Sequence, residues 1–329
     1  MSDGFDVSQP RIAVVIPVLD DWDSLAILLA EFPSQVDLGA SYHFFVIDDG
    51  SHRSMSSALN FPADCLGTLV RLGASLGHQR AICVGLNEVL KLGAFDCVLV
   101  MDGDGEDNPQ HVFELLEEFR SARAEVVVAQ RATRTEGFRF RLFYRIYKAL
   151  FRLLTGRRLD FGNFSLLSEK AVKRLLFMPE LWNHFPGTIM RSGVGIIRVP
   201  TPRSPRLAGT SRMSFVSLVN HGVSGISVFI DQVLARLMVL AGVVAATLVA
   251  FVAAGLALRF STGTPIPGWA ALISVAAAIG LLQTIGTLLI IGFFSLSTRS
   301  RYSPPPIDFA DDYVQSTQVL SVASEGARQ

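Results

Sequence analysis

Asp102-Gly103-Asp104 places two carboxylates one residue apart, directly after the apolar run Cys97 to Met101. Carboxylates at a strand end can hold Mg2+ or Mn2+, hard cations that take oxygen ligands and keep phosphate oxygens as further partners. Such an ion would neutralise charge growing on a departing diphosphate. An acidic surface turn has the same composition, so the position of the tripeptide carries the argument. A second pair, Asp48-Asp49, ends the apolar run Phe44 to Ile47, and Gly50-Ser51 permits a tight turn there. Asp48 and Asp49 could accept hydrogen bonds from a nucleobase or ribose; an Asx-type turn closing a loop is the plainer reading.

Basic residues supply the opposite charge. In Arg71 to Arg80, Gly73 and Gly77 allow close backbone approach, and a helix opening near Gly77 would offer free N–H groups to an anion. The Gly-x-Gly-x-x-Gly dinucleotide spacing is absent, and His78 reads equally well as a cap residue. Arg206 and Arg212, in Arg206 to Met213, could engage phosphate through charge-assisted bonds. A simple excess of basic residues beside a membrane explains them too. Asn183 to Pro186 could line an acceptor side, with His184 more often structural than a base.

These groups need a scaffold. Apolar runs at Ile12 to Pro17, Phe44 to Ile47, Leu66 to Arg71, Cys97 to Met101 and Glu125 to Ala129 alternate with helical patterns at Trp22 to Phe32, Gly77 to Leu90 and Pro109 to about Ala122. Near-continuous apolar strands between helices predict an α/β fold with a mainly parallel sheet covered on both faces. Ligands of such sheets sit beyond the carboxyl ends of the strands. Pro17, Asp48-Asp49 and Asp102 to Asp104 all fall at such ends.

The second half differs. Half of the 329 residues are hydrophobic, mean hydropathy is +0.40, and the excess lies after residue 232. Leu237 to Leu258 and Trp269 to Thr298 are uncharged runs, each long enough to cross a bilayer, and together they read as a membrane hairpin. A buried helix pair is the alternative. Arg203, Arg206, Arg212 and Arg236 precede the first run, Arg299 and Arg301 follow the second, and only Arg259 lies between. That asymmetry predicts an inner-membrane, multi-pass protein with the polar domain and C-terminus cytoplasmic.

Lys plus Arg and Asp plus Glu are both 29, so overall charge gives no argument for nucleic acid. Cys65, Cys83 and Cys97 read as buried small hydrophobes in a reducing compartment. No secretory signal is visible at Met1 to Pro10. Phe138 to Leu154 carries Arg141, Arg145, Lys148 and Arg152 on one helical face, with apolar and aromatic residues elsewhere. It suits an interfacial helix on anionic lipid, or an ordinary surface helix packed on the sheet. A weakly amphipathic helix, Ser214 to Gln232, is expected to lead into the first span. A loosely ordered tail is expected after Arg301. The expected divisions are 1–135, 136–232, 233–298 and 299–329.

The ordered set of motifs resembles a GT-A glycosyltransferase of the family 2 type, similar to bacterial polyisoprenyl-phosphate glycosyltransferases and to dolichol-phosphate mannose synthase. The resemblance covers about residues 11–230 and is carried by Val15 to Asp21, Val46 to Ser51, Arg71 to Ala81, Val100 to Asp104, Asp160 to Ser165, and Arg206, Gly209, Ser211 and Arg212. Asp20-Asp21 stands where Asn-Glu is usual, Ser165 where Arg is usual, and Arg212 where Lys is common. The resemblance implies inverting transfer of a sugar from a UDP- or GDP-linked donor to a polyprenyl phosphate. It implies donor contacts at Pro17, Asp20, Asp48, Asp49, Arg71, Gly77 and Arg131. It places Mg2+ or Mn2+ on Asp102 and Asp104, and gives Asp102, Asp104, Arg206 and Arg212 the catalytic work. It also implies a homo-oligomer, for which Ala241-Gly242 and Gly280 would allow close helix packing. A membrane glycosyltransferase with another acceptor, or a non-catalytic nucleotide-sugar-binding protein, are the competing readings.

Overall fold

The computed structural model of the chain describes residues 10–35, 40–53, 59–62, 65–93, 95–131, 138–202, 204–209, 215–262, 268–300 and 303–320. The first half alternates strand and helix as the apolar runs require: β1 (Arg11–Val18), α1 (Trp22–Gln35), β2 (Ser41–Asp48), β3 (Leu66–Leu72), α2 (His78–Leu92), β4 (Cys97–Val100), α3 (His111–Ser121) and β5 (Val126–Arg131). Then come α4 (Phe138–Thr155), β6 (Phe161–Ser168), α5 (Glu169–Leu176), α6 (Phe185–Ser192), β7 (Ile196–Thr201), α7 (Phe215–Ser227), α8 (Ile230–Thr262), α9 (Gly268–Ser300) and β8 (Val314–Leu320).

All eight strands form one sheet in the order β7-β5-β6-β4-β1-β2-β3-β8. The four central strands β4, β1, β2 and β3 are parallel, so their carboxyl ends share one edge. β6 enters antiparallel between β4 and β5, which makes the sheet mixed. In β1 and β2 every residue after the first is buried, so both faces are covered. Ile12, Val14 and Ile16 of β1, Phe44 and Val46 of β2, and Leu99 of β4 meet Leu25 and Leu29 of α1 and Leu115 of α3 in one apolar cluster. Burying that surface drives the layers together.

Two compact units result: 1–145 with 159–228 and 304–329, and 146–158 with 229–303. In the second, Phe151 meets the Phe229 ring edge-on at 5.9 Å. Arg236 Nη1 donates to the carbonyl of Leu153 at 2.6 Å, satisfying a group that the end of α4 leaves open. α8 and α9 are long and apolar enough to cross a membrane, and Val239, Leu282 and Phe293 are each about 70% exposed or more. Exposed apolar surface on that scale is consistent with membrane association.

Two expectations change. Of the stretch after Arg301, the described residues 303–320 are built onto the sheet: β8 pairs antiparallel with β3 from Gly67↔Leu320 to Leu72↔Val314. Gly73 N–H donates to Tyr313 O at 3.0 Å, and Trp182, Phe309 and Tyr313 form an aromatic cluster. Small polar residues hid a strand whose main-chain bonds do not depend on side-chain type. The helix expected from Ser214 to Gln232 is two helices, because α7 ends at Ser227 and α8 begins at Ile230. Val228 and Phe229 at the break are fully buried, and Val228 O accepts from Arg191 Nη1 at 2.6 Å.

Candidate active site

The shared carboxyl edge of β1, β2, β3 and β4 gathers the acidic residues. Behind β2, Asp48 Oδ1 accepts from Ser51 N–H at 2.8 Å, and its Oδ2 lies 3.9 Å from Arg71 Nε at the end of β3. Asp49 is buried, and its carboxylate takes the N–H groups of Leu76 (2.7 Å) and Gly77 (2.9 Å) and the Ser75 hydroxyl (3.2 Å). Burial raises its pKa, and those bonds from the loop work against the rise. Asp49 thus holds the 75–77 loop against the strand end. Gly50 makes this possible: its φ is +73°, and a Cβ there would lie 2.7 Å from Ser75 N. Gly77, with φ +96°, caps α2 and gives its N–H to Asp49.

Pro17 is buried within β1. Asp20 sits at φ +51°, a region Asp tolerates better than most residues. Its N–H donates to Ser51 Oγ at 2.8 Å and its Oδ1 accepts from Arg53 N–H at 2.7 Å, so it pins two loops together. The turn sends the next residue, Asp21, toward the metal-type pair instead. Arg131 is the last residue of β5. Arg212 lies outside the described residues.

After β4 the acidic loop folds on itself. Asp102 N–H donates to Asp107 Oδ2 at 3.0 Å and Asp104 Oδ1 accepts from Glu106 N–H at 3.1 Å. Arg206 joins the two acidic loops: Nη1 donates to Asp104 Oδ2 at 3.0 Å, Nη2 pairs with Asp21 Oδ2, and Nε donates to Ala208 O at 2.8 Å. Its side chain is 19% exposed, so this pair is screened less than a surface one. Leu207 N–H to Asp104 O (3.0 Å) and Ser204 N–H to Glu106 O (3.2 Å) lay the 204–208 segment on the acidic loop. At Gly105 a Cβ would strike the Leu207 side chain.

Asp102 has a different surround. Its Oδ1 lies 3.0 Å from His78 Nε2 and 3.3 Å from Asn163 Nδ2. Burial lowers the His78 pKa, but Asp102 and the acidic loop more than offset this and hold it above the ordinary histidine value. The resemblance sets Asp21 in the acidic loop after β1, His78 and Gln79 in the donor segment Arg71 to Ala81, and Asn163 in the segment Asp160 to Ser165, but beyond a cap for His78 it gives none of them a role of its own.

His184 is a structural residue. Its Nδ1 caps α6 by accepting from Gly187 N–H at 2.9 Å. Burial, with the His221 ring tilted against it at 4.7 Å, pushes its pKa down to about 3.

The donor set suits a hard divalent ion. Asp102 and Asp104 offer carboxylate oxygens, and Asp104 already attracts a cationic group, Arg206. Among the described residues no three His, Cys, Asp or Glu side chains group to hold a metal alone. An ion here would need oxygens from a ligand such as a diphosphate.

Residues 13–176 match the family described as Glycosyl transferase family 2. The chain carries a family 2 glycosyltransferase domain. Among its curated relatives is the putative glycosyltransferase CsbB of Bacillus subtilis (strain 168), 28% identical over 307 residues, covering 90% of this chain and 91% of CsbB. Another is the undecaprenyl-phosphate 4-deoxy-4-formamido-L-arabinose transferase of Edwardsiella ictaluri (strain 93-146), 26% identical over 266 residues and covering 79% of each chain. Among solved structures, glucosyl-3-phosphoglycerate synthase from Mycobacterium tuberculosis is 17% identical, with a TM-score of 0.48, covering 72% of this chain and 85% of its own. That likeness bears on neither substrate nor site. The glycosyltransferase has an α/β GT-A-like fold with a mixed sheet and two apolar C-terminal helices. A domain of this family supports the transfer of a sugar from a nucleotide-sugar donor.

Proposed function

We propose that this glycosyltransferase moves a sugar from a UDP- or GDP-linked donor onto a polyprenyl phosphate at the cytoplasmic face of the inner membrane. The observation that carries the proposal is Arg206. A cation from the segment preceding the apolar helices bridges Asp21 and Asp104 at the strand ends. The two apolar helices and the named substrate of the Edwardsiella relative support a lipid-linked acceptor.

Asp48 and Arg71 stand where a nucleoside would lie across the ends of β2 and β3. Asp102 and Asp104 would hold Mg2+ or Mn2+, which supplies positive charge against that of the departing diphosphate. The acceptor phosphate is anionic at neutral pH, so it needs little help from a protein base. Its oxygen bonds to the anomeric carbon as the bond to the β-phosphate oxygen breaks on the opposite face, inverting the centre. The harder problem is bringing two anions together, and Arg206, with Arg212 and Arg131, offsets that repulsion. A homo-oligomer with the C-terminus cytoplasmic completes the reading.

The test is incubation of the purified chain with a panel of radiolabelled nucleotide sugars, Mg2+ or Mn2+, and undecaprenyl phosphate. Labelled lipid that forms with one donor and needs the metal is the expected outcome. Release of nucleotide with no lipid product would move the acceptor elsewhere, and no release across the panel would remove the activity.

A further inference from the structure

A polar chain, buried at its start and part-buried beyond, runs from the start of α6 to Asp102. The first N–H groups of a helix have no partner within it. The Phe185 N–H donates to Gln79 Oε1 at 2.6 Å. Gln79 is 9% exposed, and its Nε2 donates to Asn163 Oδ1 at 3.0 Å. Asn163 Nδ2 then lies 3.3 Å from Asp102 Oδ1 and 2.8 Å from His78 Nε2.

The direction of this chain follows from its first member. A backbone N–H can only donate, so the Gln79 oxygen must face Phe185 and its amide nitrogen must face Asn163. A reversed Gln79 would set two donors against each other. Because Gln79 donates, the Asn163 oxygen must face Gln79, and the Asn163 NH2 must face Asp102, with its second N–H toward His78 Nε2, which accepts it only when that nitrogen is unprotonated. The Asp102 carboxylate, which can only accept, favours the same orientation, so Gln79 and Asp102 hold Asn163 from its two ends.

We propose that Gln79 is a positioning residue for sugar transfer. It uses the Phe185 N–H to orient Asn163, so that an NH2 and never a carbonyl meets the Asp102 carboxylate. This rests on the proposed function, because Asp102 matters only if the strand-end carboxylates serve donor and metal. Groups that orient a metal-binding carboxylate commonly change metal affinity or activity about 10- to 100-fold when replaced.

Gln79→Glu isolates the effect. The carboxylate still accepts from Phe185 but has no hydrogen to give Asn163, so Asn163 loses one of the two groups that orient it. The expected result is a kcat lowered about 10- to 100-fold with little change in donor KM. Asn163→Ala should match it, and adding Gln79→Glu to Asn163→Ala should change kcat less than about twofold, since coupled residues are non-additive. Mn2+ uptake by the full-length protein with UDP or GDP, read by electron paramagnetic resonance, should weaken in the same pattern without any turnover. Gln79→Met, which can neither accept nor donate well, carries the same cycle if the buried carboxylate prevents folding.

Gln79→Glu at the wild-type rate and Mn2+ affinity overturns the inference. So do losses that multiply in the double variant, which would mean that Gln79 merely supports α6. Wild-type protein that neither takes up Mn2+ nor transfers sugar overturns the proposed function itself, and the role of Gln79 with it.

Discussion

At the scale of single residues, Asp104 and His184 separate chemistry from architecture. Asp104 holds Arg206 through one oxygen and the acidic loop through the other. Asp104→Asn keeps the shape but removes the charge, so transfer should fall about 100-fold or more while the melting temperature stays within a few degrees. Unchanged turnover would refute a metal role. His184 is held neutral, with a folded pKa of about 3 against an ordinary value near 6.5. Between these values the unfolded chain binds the extra proton. The stability His184 contributes is therefore complete above about pH 6.5 and is lost as pH falls toward about 3. Asn accepts from an N-terminal N–H as well as His does, so His184→Asn should melt with a smaller drop between pH 7.5 and pH 5 than the wild type. Equal drops would place the acid sensitivity elsewhere.

At the scale of elements, α4 poses a choice between an interfacial helix and a surface helix packed on the sheet. Ile146, Leu150 and Leu153 are 57%, 44% and 71% exposed, beside the exposed basic residues Lys148 and Arg152. An ordinary surface helix packed on the sheet would hide that apolar face. The exposure favours the interfacial reading, in which apolar side chains enter the headgroup boundary and basic ones meet anionic lipid. Ile146→Glu with Leu153→Glu should slow transfer to a vesicle-embedded acceptor about tenfold, with nucleotide affinity unchanged. Wild-type rates on vesicles would return α4 to the role of a surface helix.

At the scale of the molecule, the chain returns to the catalytic unit after its apolar helices. β8 closes the β3 edge, and Asp311 pairs with Lys91 and Asn87 on α2. An uncovered edge strand is a template for unwanted pairing. Ending the chain at Ser303 should lower the melting temperature on the order of 5 °C or more and, on the proposed function, weaken nucleotide binding, because Tyr313 O anchors Gly73 beside the 75–77 loop. Differential scanning fluorimetry and calorimetry with UDP or GDP read both effects. A truncated protein that melts and binds as the full chain does would make the strap a passenger.

What the amino-acid order determined by itself is what depends on local pattern. Apolar runs of strand length that stop at Asp48 and Asp102 place carboxylates on one edge of a parallel sheet, since parallel strands end together. Uncharged runs longer than a bilayer is thick announce α8 and α9. The tertiary structure alone decided which polar group faces which. Asp21, not Asp20, meets Arg206 because Asp20 takes a left-handed turn. Asp49 serves the 75–77 loop because burial leaves it those donors. Gln79, Asn163 and Phe185 are separated by 84 and 106 residues along the chain from Gln79, and no periodicity encodes a hydrogen bond across such distances. The same holds for β8, whose pairing uses main-chain groups that every residue but proline possesses.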